Sequence, residues 1–338
     1  MNLPGWLKNW RRHEAAQAET YDSSALLNPA TCVTITELIE LRRFARKLDL
    51  NRRQPASAQL AGNHASRFRG RGMDYQESRA YQAGDDIRNM DWRVTARAGR
   101  PHTKLFQEER ERPMVHCIDL GPSLFFATRG ALKSVIAARA ATLLGWAAAA
   151  RGDRIGGLLF NGGHHELKPR SGHHGVLRLI HALVEQTDPR QGLAARPDPG
   201  GFNQALIRLR RIARPGSLVF LISDFYGLDA DTGNHLLHLR DHIDLVALQI
   251  LDPIEAAPPP PGRYGVTDGE RAGVLDTRSA ADRGHYRAFF EQHQEMVEAT
   301  MSRYRIPLLQ LSTTDRVEQA LQLQFGKRRP APARGAAA

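Results

Sequence analysis

The chain has 338 residues, of which 41% are hydrophobic and 25% are charged, and its formal net charge is +11. This balance excludes a wholly disordered chain and a bundle of membrane-spanning helices, because enough apolar residues are present for a core but no long apolar run. The two cysteines, Cys32 and Cys117, lie far apart. We therefore expect a reducing compartment, the cytoplasm, and neither a disulfide scaffold nor a cysteine-based zinc site.

The positive charge is carried mainly by arginines, which are scattered along the chain instead of being gathered on one element. A nucleic-acid-binding surface concentrates its basic residues. The sequence also contains no aromatic-bearing RNA-binding strand motif and no zinc-finger spacing. Nucleic-acid binding is therefore an alternative hypothesis and not the favoured one.

The first residues show no secretory signal, because 1–30 lacks a continuous apolar core. The longest apolar stretch, 135–150, is too short to span a bilayer. Residues 3–12 place two leucines and two tryptophans at helical spacing beside three basic residues. This pattern predicts an amphipathic helix that docks on the protein or contacts an anionic membrane surface.

Composition divides the chain into four segments. An N-terminal arm, 1–66, contains one predicted amphipathic helix at 35–48. An Arg/Asp-rich segment follows at 67–113, and a large domain at 114–326 carries a Pro-rich surface insertion at 253–279. We expect the Pro/Ala/Arg tail, 327–338, to be disordered.

The large domain alternates strands and helices, as α/β proteins do. Strands are predicted at 114–120, 154–160, 165–168, 217–223, 243–251 and 307–311, and a small hairpin at 264–267 and 273–276. Helices are predicted at 131–150, 175–186, 202–213, 231–241, 280–304 and 313–325. The unbroken apolar run 217–223 is typical of a strand that is buried on both faces. The sequence thus predicts an open, doubly wound, mostly parallel sheet.

Two aspartates follow predicted strands and are the candidate metal ligands. Asp119 ends the first strand and Asp224 follows the run 217–223, and Ser123 stands in the loop after Asp119. Because ligands of an open parallel sheet bind at the carboxyl ends of its strands, these oxygens could share a Mg²⁺ ion. The alternative is that each aspartate caps its own loop through backbone N–H groups.

Other catalytic or ligand-binding patterns are incomplete. Residues 130–134 resemble a phosphate-binding loop, but Leu132 replaces the glycine that must precede Lys133. We therefore expect Lys133 to be a solvated helix residue. His235, His238 and His242 share a helical spacing without further metal ligands. No nucleophile elbow is present, and the sequence predicts no enzyme.

The Arg/Asp-rich segment is the most distinctive part of the sequence. Asp85 or Asp86 could cap a helix whose apolar residues are Ile87, Met90 and Val94, with Gly99 as the stop. Basic and acidic residues alternate around that helix, as a network of Arg–carboxylate pairs requires. Such a network could be a structural clasp or a binding surface.

The segment 69–123 carries the run R-x-Y-x-x-G-D-D-x-R-x-x-D-W, followed by A-R-x-G and by E-E-R before the first sheet strand. With these residues the segment resembles the bacterial family called domain of unknown function 58. The family-motif residues are Arg79, Tyr81, Gly84, Asp85, Asp86, Arg88, Asp91, Trp92 and Arg97.

This resemblance implies a von Willebrand factor A-like fold with sheet order 3-2-1-4-5-6 and an antiparallel edge strand. It also implies a partner, a MoxR-type AAA+ ATPase, with which family members are thought to assemble or activate other proteins. Related domains carry a metal-ion-dependent adhesion site, to which Asp119, Ser123 and Asp224 correspond here. Gly121 replaces one serine of that motif and 200–203 holds no threonine, so the site is degenerate.

The favoured hypothesis is a non-enzymatic adaptor that binds a protein partner. The alternatives are a Mg²⁺-dependent hydrolase or nuclease that uses Asp119 and Asp224, and a nucleic-acid-binding protein.

Overall fold

The structure, a computed structural model, describes residues 7–12, 28–50, 73–82, 87–108, 112–192, 198, 200–267 and 271–326. The chain forms two compact units. The smaller unit is Asn63–Arg112, and the larger unit combines Met1–Gly62 with Pro113–Ala338. The predicted disordered tail lies outside the described residues.

The described elements follow the α/β alternation that the sequence predicts. The strands are β1 (Leu7–Arg12), β2 (Met73–Ala80), β3 (His102–Glu108), β4 (Pro113–Asp119), β5 (Arg154–Phe160), β6 (His164–Ser171), β7 (Leu218–Ser223), β8 (Asp244–Leu251), β9 (Arg263–Thr267), β10 (Arg271–Asp276) and β11 (Leu308–Ser312). The helices are α1 (Ile35–Glu40), α2 (Arg42–Ala45), α3 (Trp92–Ala98), α4 (Lys133–Ala149), α5 (Gly172–Gln186), α6 (Pro189–Gly192), α7 (Gly201–Ile212), α8 (Thr232–Arg240), α9 (Pro253–Ala256), α10 (Ala280–Arg303) and α11 (Val317–Phe325).

The larger unit is built on a six-stranded sheet in the order β11-β8-β7-β4-β5-β6. Numbered along the chain, this is the predicted order 3-2-1-4-5-6. β6 pairs antiparallel with β5, and the other pairings are parallel. All six residues of β7 are buried, which confirms the interpretation of the apolar run 217–223.

Helices cover both faces of this sheet, so the predicted doubly wound α/β architecture is confirmed. One face packs against α4, α5 and α11 through residues such as Leu143, Leu179 and Leu321. The other face packs against α7, α8 and α10. The side chains of β4 alternate between these two cores, since Ile118 belongs to the first and Cys117 to the second.

The N-terminal arm contributes to the first core. The predicted helix 35–48 is divided into α1 and α2, which meet at Leu41. The division coincides with a side-chain contact, because the carbonyl of Leu38 accepts a hydrogen bond from Trp146 Nε1 at 3.0 Å. Leu38 itself is fully buried, and Glu37 pairs with Arg139 of α4 at 2.6 Å. The arm is therefore part of the packed unit.

The predicted helix over 3–12 is wrong for residues 7–12, which form strand β1. β1 pairs antiparallel with β10, which in turn pairs with β9. The open edge of the β9–β10 hairpin offers unpaired backbone groups, and this nonlocal pairing overrides the helical spacing of the side chains. Membrane contact by residues 3–12 stays a prediction. Among the described residues, no helix is both long and apolar enough to cross a bilayer.

The substitution Leu38→Ala tests whether the arm stabilises the larger unit. It should lower the free energy of unfolding by about 2–5 kcal/mol, because it leaves a cavity against α4. Leu323→Ala is the matched control, since Leu323 is 81% exposed and its loss should change stability by less than about 0.5 kcal/mol. Urea denaturation followed by circular dichroism measures both. Equal stabilities of the two variants would contradict this role of the arm.

Candidate functional site

Asp119 and Asp224 meet at one edge of the sheet, as predicted. We call the loops that follow β4, β7, β8 and β11 the carboxyl edge. β4 and β7 are parallel neighbours, so Asp119 and Ser223 end adjacent strands. Ser223 Oγ donates to Asp119 Oδ2 at 2.7 Å, and the Gly121 backbone N–H donates to Asp119 Oδ1 at 2.8 Å. Both oxygens of Asp119 thus accept hydrogen bonds from the protein.

Ser123, the third predicted ligand, lies in the loop that follows Asp119. It lies in a short 3₁₀ turn, Pro122–Leu124, and its side chain is exposed. Within the described residues it makes no hydrogen bond to Asp119 or Asp224.

The chain turns sharply after β7. Phe225 is fully buried and has a φ of 63°, a left-handed conformation that is unusual for a large side chain. Its backbone N–H donates to Ser223 Oγ at 2.8 Å, so Ser223 links this turn to Asp119. The turn directs the side chain of Asp224 inward, where it is 1% exposed.

The prediction that Lys133 is solvated is wrong. Lys133 begins α4 and is 1% exposed. Its Nζ lies 3.4 Å from Asp224 Oδ2 and forms an ion pair with Glu255 Oε1. The same ammonium lies 5.8 Å from the centroid of the Tyr226 ring. A buried lysine requires such partners, and here they come from loops far away in the sequence.

Sequence reasoning missed Glu255, which belongs to a capping box at the start of α9. Asp252 Oδ1 accepts a hydrogen bond from Ile254 N, and Asp252 N donates to Glu255 Oε2 at 2.8 Å. The spacing of Asp252 and Glu255 around Pro253 is a signal that could have identified this box. The second oxygen of Glu255 contacts Lys133, so the cap also orients a partner of the buried ammonium.

Asp252 ties three loops of the carboxyl edge together. Its carboxylate accepts hydrogen bonds from Thr128 N and Thr313 Oγ1, each at 2.8 Å, and from the Thr128 hydroxyl. Burial would raise the pKa of Asp252, but these bonds outweigh it and lower the pKa below its usual value. The loops after β4, β8 and β11 are therefore held by one ionised carboxylate.

His293 of α10 lies against Tyr226 and Asp224. Its ring stacks on Tyr226 at 3.9 Å between centroids with an interplanar angle of 7°. His293 Nε2 lies 3.0 Å from the backbone carbonyl of Asp224, so this nitrogen carries the proton. Burial lowers the pKa of His293 and favours the neutral ring.

The electrostatics of the site are dominated by burial. Burial and the neighbouring Asp224 raise the pKa of Asp119 to about 7. Burial also raises the pKa of Glu255. For Lys133 burial acts downward, but Asp224 and Glu255 reverse it, and the net pKa is raised. Asp224 and Glu255 thus favour the charged form of Lys133.

The residues of the carboxyl edge do not offer an obvious metal cage. Among the described residues, no group of three or more His, Cys, Asp or Glu side chains could hold a metal ion. Gly121 replaces a serine ligand of the adhesion-site motif, and a Cβ there would lie 3.1 Å from Asp119 Oδ1. A side chain at this position would therefore make a tight contact with Asp119. Binding of Mg²⁺ stays a prediction.

The family-motif residues lie in the smaller unit, where β2 and β3 pair antiparallel and α3 lies between them in sequence. The predicted cap is wrong for the observed helix, since α3 begins at Trp92 and Asp91 is its N-cap. Asp91 Oδ1 accepts from the backbone of Arg93 and Val94, and Asp91 Oδ2 accepts from Ser78 Oγ at 2.7 Å. Gly99 ends the helix with a φ of 66°, as predicted.

Two apolar side chains of the motif region point to solvent. Trp92 is 66% exposed and Ile87 is 65% exposed. The side chain of Arg79 donates to the carbonyl of Ala80 at 3.1 Å. Tyr81 directly follows β2, and Arg97 lies on α3. Arg88 lies in the 3₁₀ turn Ile87–Asn89. Gly84, Asp85 and Asp86 lie outside the described residues.

The sheet order and the antiparallel edge strand agree with the von Willebrand factor A-like fold that the family resemblance implies. The family model "Protein of unknown function DUF58" matches residues 77–296, and the chain belongs to this family. Two uncharacterized relatives, Rv1480 of Mycobacterium tuberculosis and Mb1516 of Mycobacterium bovis, are each 30% identical over 279 residues, 81% of this chain and 85% of the relative.

Solved structures are also similar to this chain, at low sequence identity and with low TM-scores. The conserved hypothetical protein BatB from Bacteroides thetaiotaomicron is 13% identical, with a TM-score of 0.37 over 63% of this chain and 96% of its own. An aerotolerance-related membrane protein from Bacteroides fragilis is 12% identical, with a TM-score of 0.40 over 63% and 98%. A von Willebrand factor type A protein from Catenulispora acidiphila is 12% identical, with a TM-score of 0.30 over 44% and 35%.

The raised pKa of Asp119 predicts a specific pH dependence of stability. In the folded protein the Asp119 carboxyl keeps its proton up to about pH 7. In the unfolded chain, where its pKa is 3.8, the same carboxyl loses the proton at a lower pH. The free energy of unfolding should therefore fall between about pH 4 and pH 7 and then level off. The variant Asp119→Asn lacks the titrating carboxyl, so its free energy of unfolding should not show this decrease. Between pH 4 and pH 7 the stability of the variant relative to the wild type should therefore rise by about 1–3 kcal/mol.

Urea denaturation at several pH values measures this difference. Asp229→Asn is the control. The side chain of Asn203 lowers the pKa of Asp229, so the titration of Asp229 does not reduce the free energy of unfolding between pH 4 and pH 7. A constant difference between Asp119→Asn and the wild type would refute the predicted titration.

Proposed function

We propose that this protein is a non-enzymatic adaptor that binds a protein partner, and that the partner is a MoxR-type AAA+ ATPase. The observation that carries the proposal is the exposure of Trp92, which is 66% accessible at the start of α3. Large aromatic side chains are enriched among the residues that dominate the energy of protein interfaces. We therefore assign contact with the protein partner to this exposed tryptophan of the family motif.

The local structure holds Trp92 in place without covering it. Asp91 caps α3 through two backbone N–H groups and is itself bonded to Ser78 of β2. Trp92 is thus the first residue of a helix whose start is anchored to the sheet of the smaller unit. Such anchoring reduces the entropy that a side chain loses on binding. Ile87 of the same unit is a second exposed apolar side chain.

A second exposed apolar side chain lies near the carboxyl edge. Phe126, in the loop after β4, is 41% exposed, whereas Asp224 and Lys133 are buried beneath this edge. The polar groups of the edge are engaged with one another, which supports a surface that presents side chains to a protein and not a pocket that processes a small substrate. We place this role in the cytoplasm.

The alternative of a hydrolase or nuclease requires Asp119 and Asp224 to reach a substrate. Asp224 is 1% exposed and contacts Lys133, while both oxygens of Asp119 accept internal hydrogen bonds. These contacts favour a structural role for the pair. Two described cavities, of about 470 and 290 Å³, are lined by other residues.

Binding of the purified full chain to the MoxR-type ATPase of the same genome tests the proposal, by calorimetry with ATP analogue, ADP or no nucleotide. We expect a complex in at least one nucleotide state. Trp92→Ala should weaken it about 30-fold or more, as expected for a dominant interface residue. Leu237→Ala is the matched control, because Leu237 is a 45% exposed apolar residue on α8.

The control variant should bind as the wild type does, and circular dichroism should show that all three proteins are folded. Absence of a complex in every nucleotide state would remove the ATPase as partner. Unchanged affinity of Trp92→Ala would remove the motif surface as the binding site.

A further inference from the structure

We propose that the ammonium of Lys133 is the resident cation of the carboxyl edge, so that this edge is complete without a divalent metal. The group consists of Lys133, Asp224 and Glu255, which we call the Lys133 cluster. It joins the start of α4 to the end of β7 and to α9. The proposal concerns a cation site, and it stands or falls independently of the partner.

The buried position of Lys133 at a helix N-terminus is unfavourable for a positive charge, so it requires compensating partners. The N-terminus of a helix carries partial positive charge and disfavours cations. Lys133 is nevertheless the first residue of α4, and that helix has no acidic residue in its first turn. The favourable partners are instead Asp224 and Glu255, from outside the helix. Their negative charge offsets both the desolvation of the ammonium and the unfavourable helix end.

Carboxylate oxygens of the edge are already used by groups of the protein. Asp119 accepts from Ser223 and Gly121, and Asp224 Oδ1 lies 3.4 Å from the backbone nitrogen of Tyr226. A divalent ion at Asp224 would also stand beside the ammonium that contacts the same carboxylate. Mutual repulsion in a poorly solvated site makes that arrangement unfavourable.

The surroundings of Lys133 fit an ammonium and not a hydrated metal ion. The Tyr226 ring lies on one side, with Nζ 5.8 Å from its centroid, and that ring is stacked on His293. An aromatic face stabilises a desolvated ammonium through the cation–π interaction. Mg²⁺ prefers oxygen ligands and retains several waters, which a tyrosine face does not replace.

Titration of the wild-type chain with Mg²⁺ and Mn²⁺ is the first test. Calorimetry should show no saturable binding, and the melting temperature should change by less than about 1 °C, because no ligand stabilises the folded state. Stoichiometric binding of either ion at the carboxyl edge, abolished by Asp224→Asn, would overturn the proposal.

Lys133→Met is the second test, since methionine keeps most of the side-chain length and removes the charge. Without metal, its melting temperature should fall by about 10 °C, because buried carboxylates lose their counter-ion. Lys168→Met, at an exposed position of β6, is the matched control and should leave the melting temperature unchanged.

Lys133→Met with Asp224→Asn keeps the test decisive if the single variant does not fold. Removing a charge and its partner together should be less damaging than removing the lysine alone. A Lys133→Met protein as stable as the wild type would overturn the role of Lys133 as the cation of the site. A double variant no more stable than the single one would do the same.

Discussion

The ion pairs of Lys133 impose the strongest constraint on the larger unit. An ammonium that is 1% exposed is tolerated only if negative charge is delivered to it inside the protein. Asp224 supplies this charge from the end of β7, and Glu255 supplies it from α9. The cluster therefore fixes how the first turn of α4 lies against two loops that are distant in sequence.

Asp252 extends the same constraint to the outer strands. It orients Glu255 through the capping box and simultaneously accepts hydrogen bonds from Thr128 and Thr313. A change at any of these loops is thus transmitted to the Lys133 cluster through hydrogen bonds. These buried hydrogen bonds hold the loops of the carboxyl edge to one another.

The sheet could be predicted from the sequence because its signal is local. The run 217–223 is apolar throughout, and the glycine-rich turn at 161–163 separates β5 from β6. The errors concern contacts between distant segments. Residues 7–12 form a strand because β10 offers an edge, and Lys133 is buried because Asp224 and Glu255 reach it. The position of Asp119 and Asp224 followed from the sheet, but Glu255 could be placed beside them only by the folded chain.

The two units present opposite chemistry, and this contrast bears on function. In the larger unit the charged groups of the carboxyl edge are turned inward and are held by ion pairs and hydrogen bonds within the protein, so their main effect is on stability. In the smaller unit Asp91 uses its hydrogen bonds to start a helix whose first side chain, Trp92, remains exposed. Exposure of a large aromatic residue has a cost in water, and burial against a partner removes that cost. The family motif thus combines a satisfied polar anchor with an unsatisfied apolar side chain, which is the arrangement that binding to another protein would complete.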